Sequence, residues 1–182
     1  MSDAKPKVSL GVPLYNESEF LEETIISLLN QTYKNIEIIA IDNNSTDSSF
    51  KILEKYSAKD KRLKIFKNKF NIGQSANFNL VFEESEGEYF SWIGAHDKYE
   101  KDYVERLLNK FKIFQNISVV FSNVSNIDKN GNYINEEKDI GFELKNKSSF
   151  FRLLKLPWVI KGSGDIVMGM YKRELLEKTT LF

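Results

Sequence analysis

The sequence has no cysteine, which excludes disulfides and thiolate metal sites and is compatible with a reducing compartment. It has one histidine, His96, and a lone histidine is usually structural. It has no excess of either charge: 26 Lys and Arg stand against 26 Asp and Glu. That balance withholds the basic patch expected of a nucleic-acid binder. It also weakens attraction to an anionic membrane surface. No stretch approaches the roughly 18 consecutive apolar residues of a membrane span. Met1 to Lys7 is polar and carries no signal-peptide core. Repeats, low-complexity tracts and linkers are missing too. These absences point to a cytoplasmic chain with no nucleic-acid partner and no transmembrane segment of its own, leaving open peripheral attachment at the inner membrane face.

What is present suits a single globular domain. The 182 residues are 41% hydrophobic and 29% charged, and fourteen Phe and eight Tyr supply core material. Val8 to Leu14 and Ile36 to Ile41 are continuous apolar runs, as expected of buried strands. Leu63 to Phe66 and Glu88 to Ile93 read as further strands, and Ile117 to Val124 as another. Helices fall between them. Asn16 with Glu19 predicts a capping-box start for the first, whose apolar face is Phe20, Leu21, Thr24, Ile25, Leu28 and Leu29. Phe50, Leu53 and Tyr56 mark the second, Gly73 to about Glu84 the third, and Tyr103, Leu107, Phe111 and Phe114 the fourth. Asn130-Gly131 predicts a hairpin turn. Ser148 to Leu156 reads as a short helix, Asp165 to Tyr171 as a strand, and a last helix starts near Arg173. Alternation of this kind gives an α/β fold: a Rossmann-like, mainly parallel sheet with helices on both faces.

In such sheets ligands bind beyond the carboxyl ends of the strands. The first strand ends in Pro13-Leu14-Tyr15-Asn16-Glu17, the second in Asp42 followed by Asn43-Asn44-Ser45-Thr46-Asp47, and the fourth in Gly94-Ala95-His96-Asp97. A nucleotide needs an aromatic or proline wall for its base, a carboxylate for a base N–H, hydroxyl contacts for ribose and a metal or cation for its diphosphate. Those residue types stand at these ends. Singly, each has a plainer reading. Tyr15 suits a core, Asp42, Asp47 and Asp97 suit helix caps, and His96 suits a structural role. Taken together on one edge they favour a binding site.

The series Val8 to Glu17, Ile41 to Asp47, Asn71-Ile72-Gly73 with Asn79, and Gly87-Glu88-Tyr89 leading to Ala95-His96-Asp97 resembles glycosyltransferase family 2, whose members have the GT-A fold. The resemblance runs from about Val8 to the chain end and is strongest through about Leu107. It implies transfer of a sugar from a nucleoside-diphosphate sugar, with a UDP-sugar favoured, to a carbohydrate or lipid-linked acceptor hydroxyl. Inversion and a bound Mg²⁺ or Mn²⁺ ion are implied with it. Pro13 and Tyr15 would line the base and ribose pocket, with Glu17 near the ribose. Asp42 would accept from the base, typically at uracil N3–H. Asn71, Gly73 and Asn79 would shape the pocket wall, and His96 would join the nucleotide site. Asp97 matches the last acid of the family's Asp-x-Asp metal motif, where carboxylate-held metal neutralises the leaving diphosphate.

Two departures stand out. Ala95 replaces the first acid of that motif, and Lys98 stands where another acid is often found, either opposing a metal or facing solvent. The family's catalytic base lies beyond the segment resembling Gly169-Met170-Tyr171-Lys172-Arg173, whereas this sequence stops at Phe182. The resemblance therefore implies a piece of a longer protein, with the base past Phe182 and Asp165 as the weaker candidate within it. Trp158 beside Pro157 could contact an acceptor sugar, and a core or loop-anchoring role is its plainer reading. Two other classes compete with this one. A nicotinamide oxidoreductase would need Gly-x-Gly-x-x-Gly after the first strand, where Pro-Leu-Tyr-Asn-Glu stands instead. A non-catalytic nucleotide or sugar binder would be consistent with Ala95 and Lys98.

Overall fold

The computed structural model describes residues 5–114, 116–137, 167–179 and 181. Its elements are β1 (Val8–Leu14), α1 (Leu21–Leu29), β2 (Ile36–Asp42), α2 (Ser49–Ser57), β3 (Leu63–Lys67), α3 (Gln74–Glu83), β4 (Tyr89–Trp92), α4 (Tyr103–Ile113), β5 (Val119–Val120), β6 (Val124–Ile127), β7 (Tyr133–Glu137), β8 (Met170–Lys172) and α5 (Arg173–Leu176). One six-stranded sheet runs β3-β2-β1-β4-β8-β5, and β6 pairs with β7 in a separate hairpin. β1 is parallel to β2 and β4, and β2 to β3; β8 is antiparallel to β4 and β5. The sheet is therefore mainly parallel, and its first four strands end on one edge.

The apolar runs of β1 and β2 are buried along their whole length. Central parallel strands are covered on both faces, so alternation with polar residues disappears. The pleat still divides the side chains between two layers. Val8, Leu10, Val12 and Leu14, with Ile36, Ile38 and Ala40, pack against Leu21, Ile25 and Leu28 of α1, Leu53 of α2, and Val104, Leu107 and Phe111 of α4. Ile39 and Ile41 face the other way and join Phe90, Trp92, Val81 and Phe82 of α3, and Leu176 of α5. Burying one such side chain contributes about 1.5–3 kcal/mol. A Cβ added to Gly11 would lie 2.6 Å from Phe90 Cζ and 2.9 Å from Val81 Cγ2, so glycine lets α3 and β4 close on β1.

Three expectations need correction. The capping box does not form: α1 begins at Leu21 with Phe20 at its N-cap and no side-chain cap, because the Asn16 side chain is engaged elsewhere. Ile117 to Val124 is not one strand. Val119–Val120 joins the main sheet through β8, while Val124–Ile127 leaves it to pair with β7. The last strand is the shorter Met170–Lys172. Asn130-Gly131 does turn the β6–β7 hairpin, with Gly131 at φ 81°. The Ser148 to Leu156 helix lies outside the described residues.

Candidate nucleotide site

β1 lies between β2 and β4, and here the strand order reverses direction. Such a switch point opens a crevice at the carboxyl ends. The pairing of β1 with β4 covers Val8 to Gly11 only, closed by Ile93 N–H donating to Gly11 O at 2.8 Å. Pro13, buried in β1, lies past the end of that ladder, so its missing N–H breaks no β1–β4 pairing. Beyond it Tyr15 is 45% exposed, the largest ring at this edge of β1.

The loops after β1 and β2 are fastened to each other. Asn16 takes a left-handed backbone, φ 58°. Its N–H donates to Ser45 Oγ (2.9 Å), and its Oδ1 accepts from Thr46 N–H (2.9 Å). Glu17 N–H donates to Ser49 Oγ at 2.9 Å. Asp47 accepts from Ser18 N–H at 3.0 Å and from Ser49 N–H, the first of α2, at 2.9 Å. Burial pushes the Asp47 carboxyl up, but these Ser49 and Ser18 hydrogen bonds outweigh it and hold the group at about 2. Asp47 is thus a structural fastener.

Asp42 differs. It is fully buried at the end of β2. Its Oδ1 accepts from both the N–H of Ser45 (3.0 Å) and the Ser45 hydroxyl. Its Oδ2 is buried with no hydrogen-bond partner, and the nearest cation, Lys67 Nζ, stands 3.7 Å away. A buried carboxylate oxygen left bare is costly, and natural exceptions call for an explanation.

The wall beside Asp42 is an asparagine network. Asn43 donates to Asn71 Oδ1 (2.8 Å) and to Gly73 O (3.2 Å). Its own Oδ1 accepts from Asn68 (2.9 Å) and from Ile72 N–H (2.9 Å). Asn68 also donates to Asn77 Oδ1 at 3.0 Å, and buried Asn77 donates to Ile41 O at 3.1 Å. This network bends the chain through Gly73, φ 88°, into α3. Asn79 is half-buried on α3.

At the end of β4, Thr24 Oγ1 of α1 donates to Ala95 O at 3.0 Å, and Gly94 N–H donates to the Tyr99 hydroxyl at 3.2 Å. His96 and Asp97 project between these anchors, both exposed. His96 Nδ1 is 3.2 Å from Glu17 Oε2, a contact that joins the β1 and β4 loops across the crevice. A Cβ on Gly94 would meet the Asp97 carboxylate, so a side chain there would push that carboxylate from its present place. Burial, then the nearby Tyr103 and the Asp97 charge, raise the Tyr99 phenol well above its ordinary range. Asp97 does not cap α4, which has Asp102 at its N-cap. Lys98 turns away from the site, with Nζ 3.7 Å from Glu23 of α1.

The structure thus gathers Tyr15, Glu17, Asp42, Asn71, Gly73, His96 and Asp97 at one edge. Asp165 and Trp158 lie outside the described residues. Sequence reasoning placed Asn43 and Ser45 in the cluster after β2 without giving either a role of its own, and missed Asn68, Asn77 and Lys67. Lys67 was within reach of the sequence, because it follows Phe66 at the end of the third strand, on the same edge.

This geometry defines an α/β domain whose polar side chains gather at the carboxyl ends of its parallel strands. The chain belongs to glycosyl transferase family 2, whose family model matches residues 9–180. It is 30% identical over 94% of its length to the Campylobacter jejuni GalNAc(5)-diNAcBac-PP-undecaprenol beta-1,3-glucosyltransferase, covering 53% of that protein. S. aureus TarS in complex with UDP-GlcNAc superposes with a TM-score of 0.73 at 21% identity, over 94% of this chain and 46% of that one. The mannosyltransferase PcManGT from Pyrobaculum calidifontis, in complex with GDP-Man and Mn²⁺, gives 0.69 at 18% identity, over 99% of this chain and 48% of that one. These likenesses establish the GT-A fold. The chain spans about half the length of curated relatives it matches, 51% and 53% for two of them.

Proposed function

We propose that this chain binds the donor of a glycosyl-transfer reaction, a nucleoside-diphosphate sugar with uridine favoured, along the carboxyl edge of β1, β2 and β4. The observation that carries this reading is the bare, buried Oδ2 of Asp42. A base N–H is the group it lacks. Tyr15 supplies an exposed ring for the base, and Asn43, Asn71 and Gly73 form the adjoining wall. The diphosphate then extends toward His96 and Asp97.

Asp97 alone would be a weak metal site, and no group of three or more His, Cys, Asp or Glu among the described residues is placed to hold a metal ion. Mg²⁺ characteristically takes one or two carboxylates and completes its shell with substrate phosphates. Asp97 fits that pattern, since Lys98 is drawn off toward Glu23. A Mg²⁺ or Mn²⁺ ion held there with the diphosphate supplies neutralisation of the leaving group. The acceptor, a carbohydrate or lipid-linked hydroxyl, loses its proton to a carboxylate and attacks the anomeric carbon. The bond from that carbon to the diphosphate oxygen breaks with inversion. We assign the base to a carboxylate past Phe182, with Asp165 the first residue to mutate within the chain. We place the reaction in the cytoplasm; no helix among the described residues is long and apolar enough to cross a membrane.

Calorimetry with UDP, CDP, GDP and ADP in excess metal tests the reading, and UDP should bind most tightly. Equal or absent binding of all of them removes it. A transfer assay with a panel of acceptors separates a transferase from a domain that binds its nucleotide without turnover.

A further inference from the structure

We infer that Lys67 is a specificity-determining residue: its ammonium donates to the base carbonyl beside the N–H that Asp42 accepts, so that the two side chains read one imide edge. The inference rests on the nucleotide reading above and adds a residue that neither the sequence motifs nor the fold had assigned.

Asp42 and Lys67 are lateral partners in the β2–β3 register, so they project from the same face at the same edge. Their separation of 3.7 Å is an ion-pair contact but too long for a hydrogen bond. The result is a free acceptor and a free donor side by side. Lys67 Nζ also stands 5.0 Å from the centre of the Phe50 ring, which holds the ammonium beside Asp42. Lys67 is the more accessible of the two, at 38% side-chain exposure against none for Asp42.

Ser45 narrows what the pair accepts. Both of its donors are spent on Asp42 Oδ1, so Oδ2 is the one acceptor left. Uracil offers one N–H flanked by carbonyls, which suits one acceptor beside one donor. Guanine brings a second N–H to a carboxylate that has no second free oxygen. Cytosine in the same seat presents a ring lone pair to Oδ2 and an amine to Lys67, so both contacts turn repulsive.

The test compares UDP with CDP by calorimetry in the unmodified chain, Lys67→Met, Lys67→Arg and Asp42→Asn, with melting temperature as the control for folding. A hydrogen bond from a charged donor at a half-exposed site is worth about tenfold in affinity. Lys67→Met should lose about that factor for UDP and less for CDP, so the UDP/CDP ratio falls. Lys67→Arg should restore the ratio. Replacement of the uracil O4 by sulfur, a weaker acceptor, should weaken UDP binding in the unmodified chain and matter less in Lys67→Met. If Lys67 merely balances the buried charge of Asp42, Lys67→Met lowers the melting temperature or weakens both nucleotides equally. An unchanged ratio overturns the inference. A ratio lost in Asp42→Asn but kept in Lys67→Met overturns the role of Lys67 alone. An unmodified chain with no preference for UDP over CDP overturns the uridine reading and this inference together.

Discussion

Strand β2 carries a buried carboxylate near each end, and the two are treated in opposite ways. Glu37, at the amino end, has both oxygens filled. Oε1 accepts from Ser9 Oγ at 2.7 Å and from Glu86 N–H at 2.7 Å. Oε2 meets Lys7 at 2.8 Å and Lys64 at 2.9 Å. Asp42, at the carboxyl end, has one oxygen filled and one bare. Glu37 ties three segments of chain together and has no capacity left for a ligand. Asp42 keeps an unfilled acceptor where the strand order opens a crevice. Burial alone does not separate a structural acid from a binding acid; the count of satisfied oxygens does.

The largest expected effect breaks the structural side of that contrast. Glu37→Ala removes the oxygen to which Ser9 Oγ and the Glu86 N–H donate, and leaves Lys7 and Lys64 with Glu86 Oε2 as their remaining partner. Leaving a buried donor without its acceptor costs about 1–3 kcal/mol, while the partly exposed Lys7 and Lys64 rehydrate at little cost; urea unfolding measures the total. UDP affinity under conditions where the variant stays folded should not change. A stability loss below about 1 kcal/mol would show that the Glu37 cluster is not a fastening.

The same cluster sets an acid limit. Burial pushes the Glu37 carboxyl up, but Lys7, Ser9, the Glu86 N–H and Lys64 together hold it at about 2, below its ordinary 4.5. A depressed carboxyl contributes stability that is fully present above its unfolded value and lost as pH falls through its folded one. The contribution, roughly 3 kcal/mol for a shift of this size, should vanish between about pH 4.5 and pH 2. In Glu37→Gln the fall in unfolding free energy over that window should be shallower. Parallel curves for the two proteins would assign the acid limit to other groups.

Asp42→Asn attacks the binding side. Nucleotide affinity should drop by about 1–3 kcal/mol, the range for a hydrogen bond involving a charged group. The melting temperature should move far less than in Glu37→Ala, since the lost charge was only half satisfied. A variant that melts early and still binds UDP normally would make Asp42 a second Glu37.

Much of the fold and of the site's edge was legible in the sequence, whereas the contrast between Glu37 and Asp42 was not, and the limits were physical. β1 and β2 announced themselves because a central parallel strand is apolar on both faces. The edge shared by Tyr15, Asp42 and Asp97 followed from the alternation of strands and helices. Ile117 to Val124 misled because its apolar residues serve two sheets. One of its pairings is to β8, about fifty residues away, and no local pattern records such a partner. Asn16 was read as a cap, yet its side chain serves Thr46 in the next loop. That Asp42 has one spent oxygen depends on Ser45 folding back over it, a fact of the folded loop alone.

Asp97 is the next point of attack. Asp97→Asn should remove the dependence of UDP affinity on Mn²⁺, a change of roughly tenfold at saturating metal, with the fold intact. If that dependence survives, the carboxylate is not a metal ligand, and its place against Gly94 and Tyr99 is a packing role.

The smallest effect concerns Lys98, which stands beside Asp97 in the sequence yet belongs to the surface. Its Nζ is 3.7 Å from Glu23, and both side chains are well over half exposed. Exposed pairs of this kind are worth between zero and about 1 kcal/mol. Lys98→Asp would strengthen metal binding if charge near the motif were all that counted. It also places a second anion beside Glu23, which offsets part of the gain by drawing counterions to the α1 surface instead of the site. The expected change in Mn²⁺ affinity is therefore about threefold or less at low salt. It should fade at 0.5 M salt, where the screening length falls below roughly 5 Å. Titration of Mn²⁺ in the presence of UDP, at both ionic strengths, measures it. A change of about tenfold or more that persists at high salt would place residue 98 among the metal ligands, and the turn of Lys98 toward Glu23 would then be one of two arrangements of that loop.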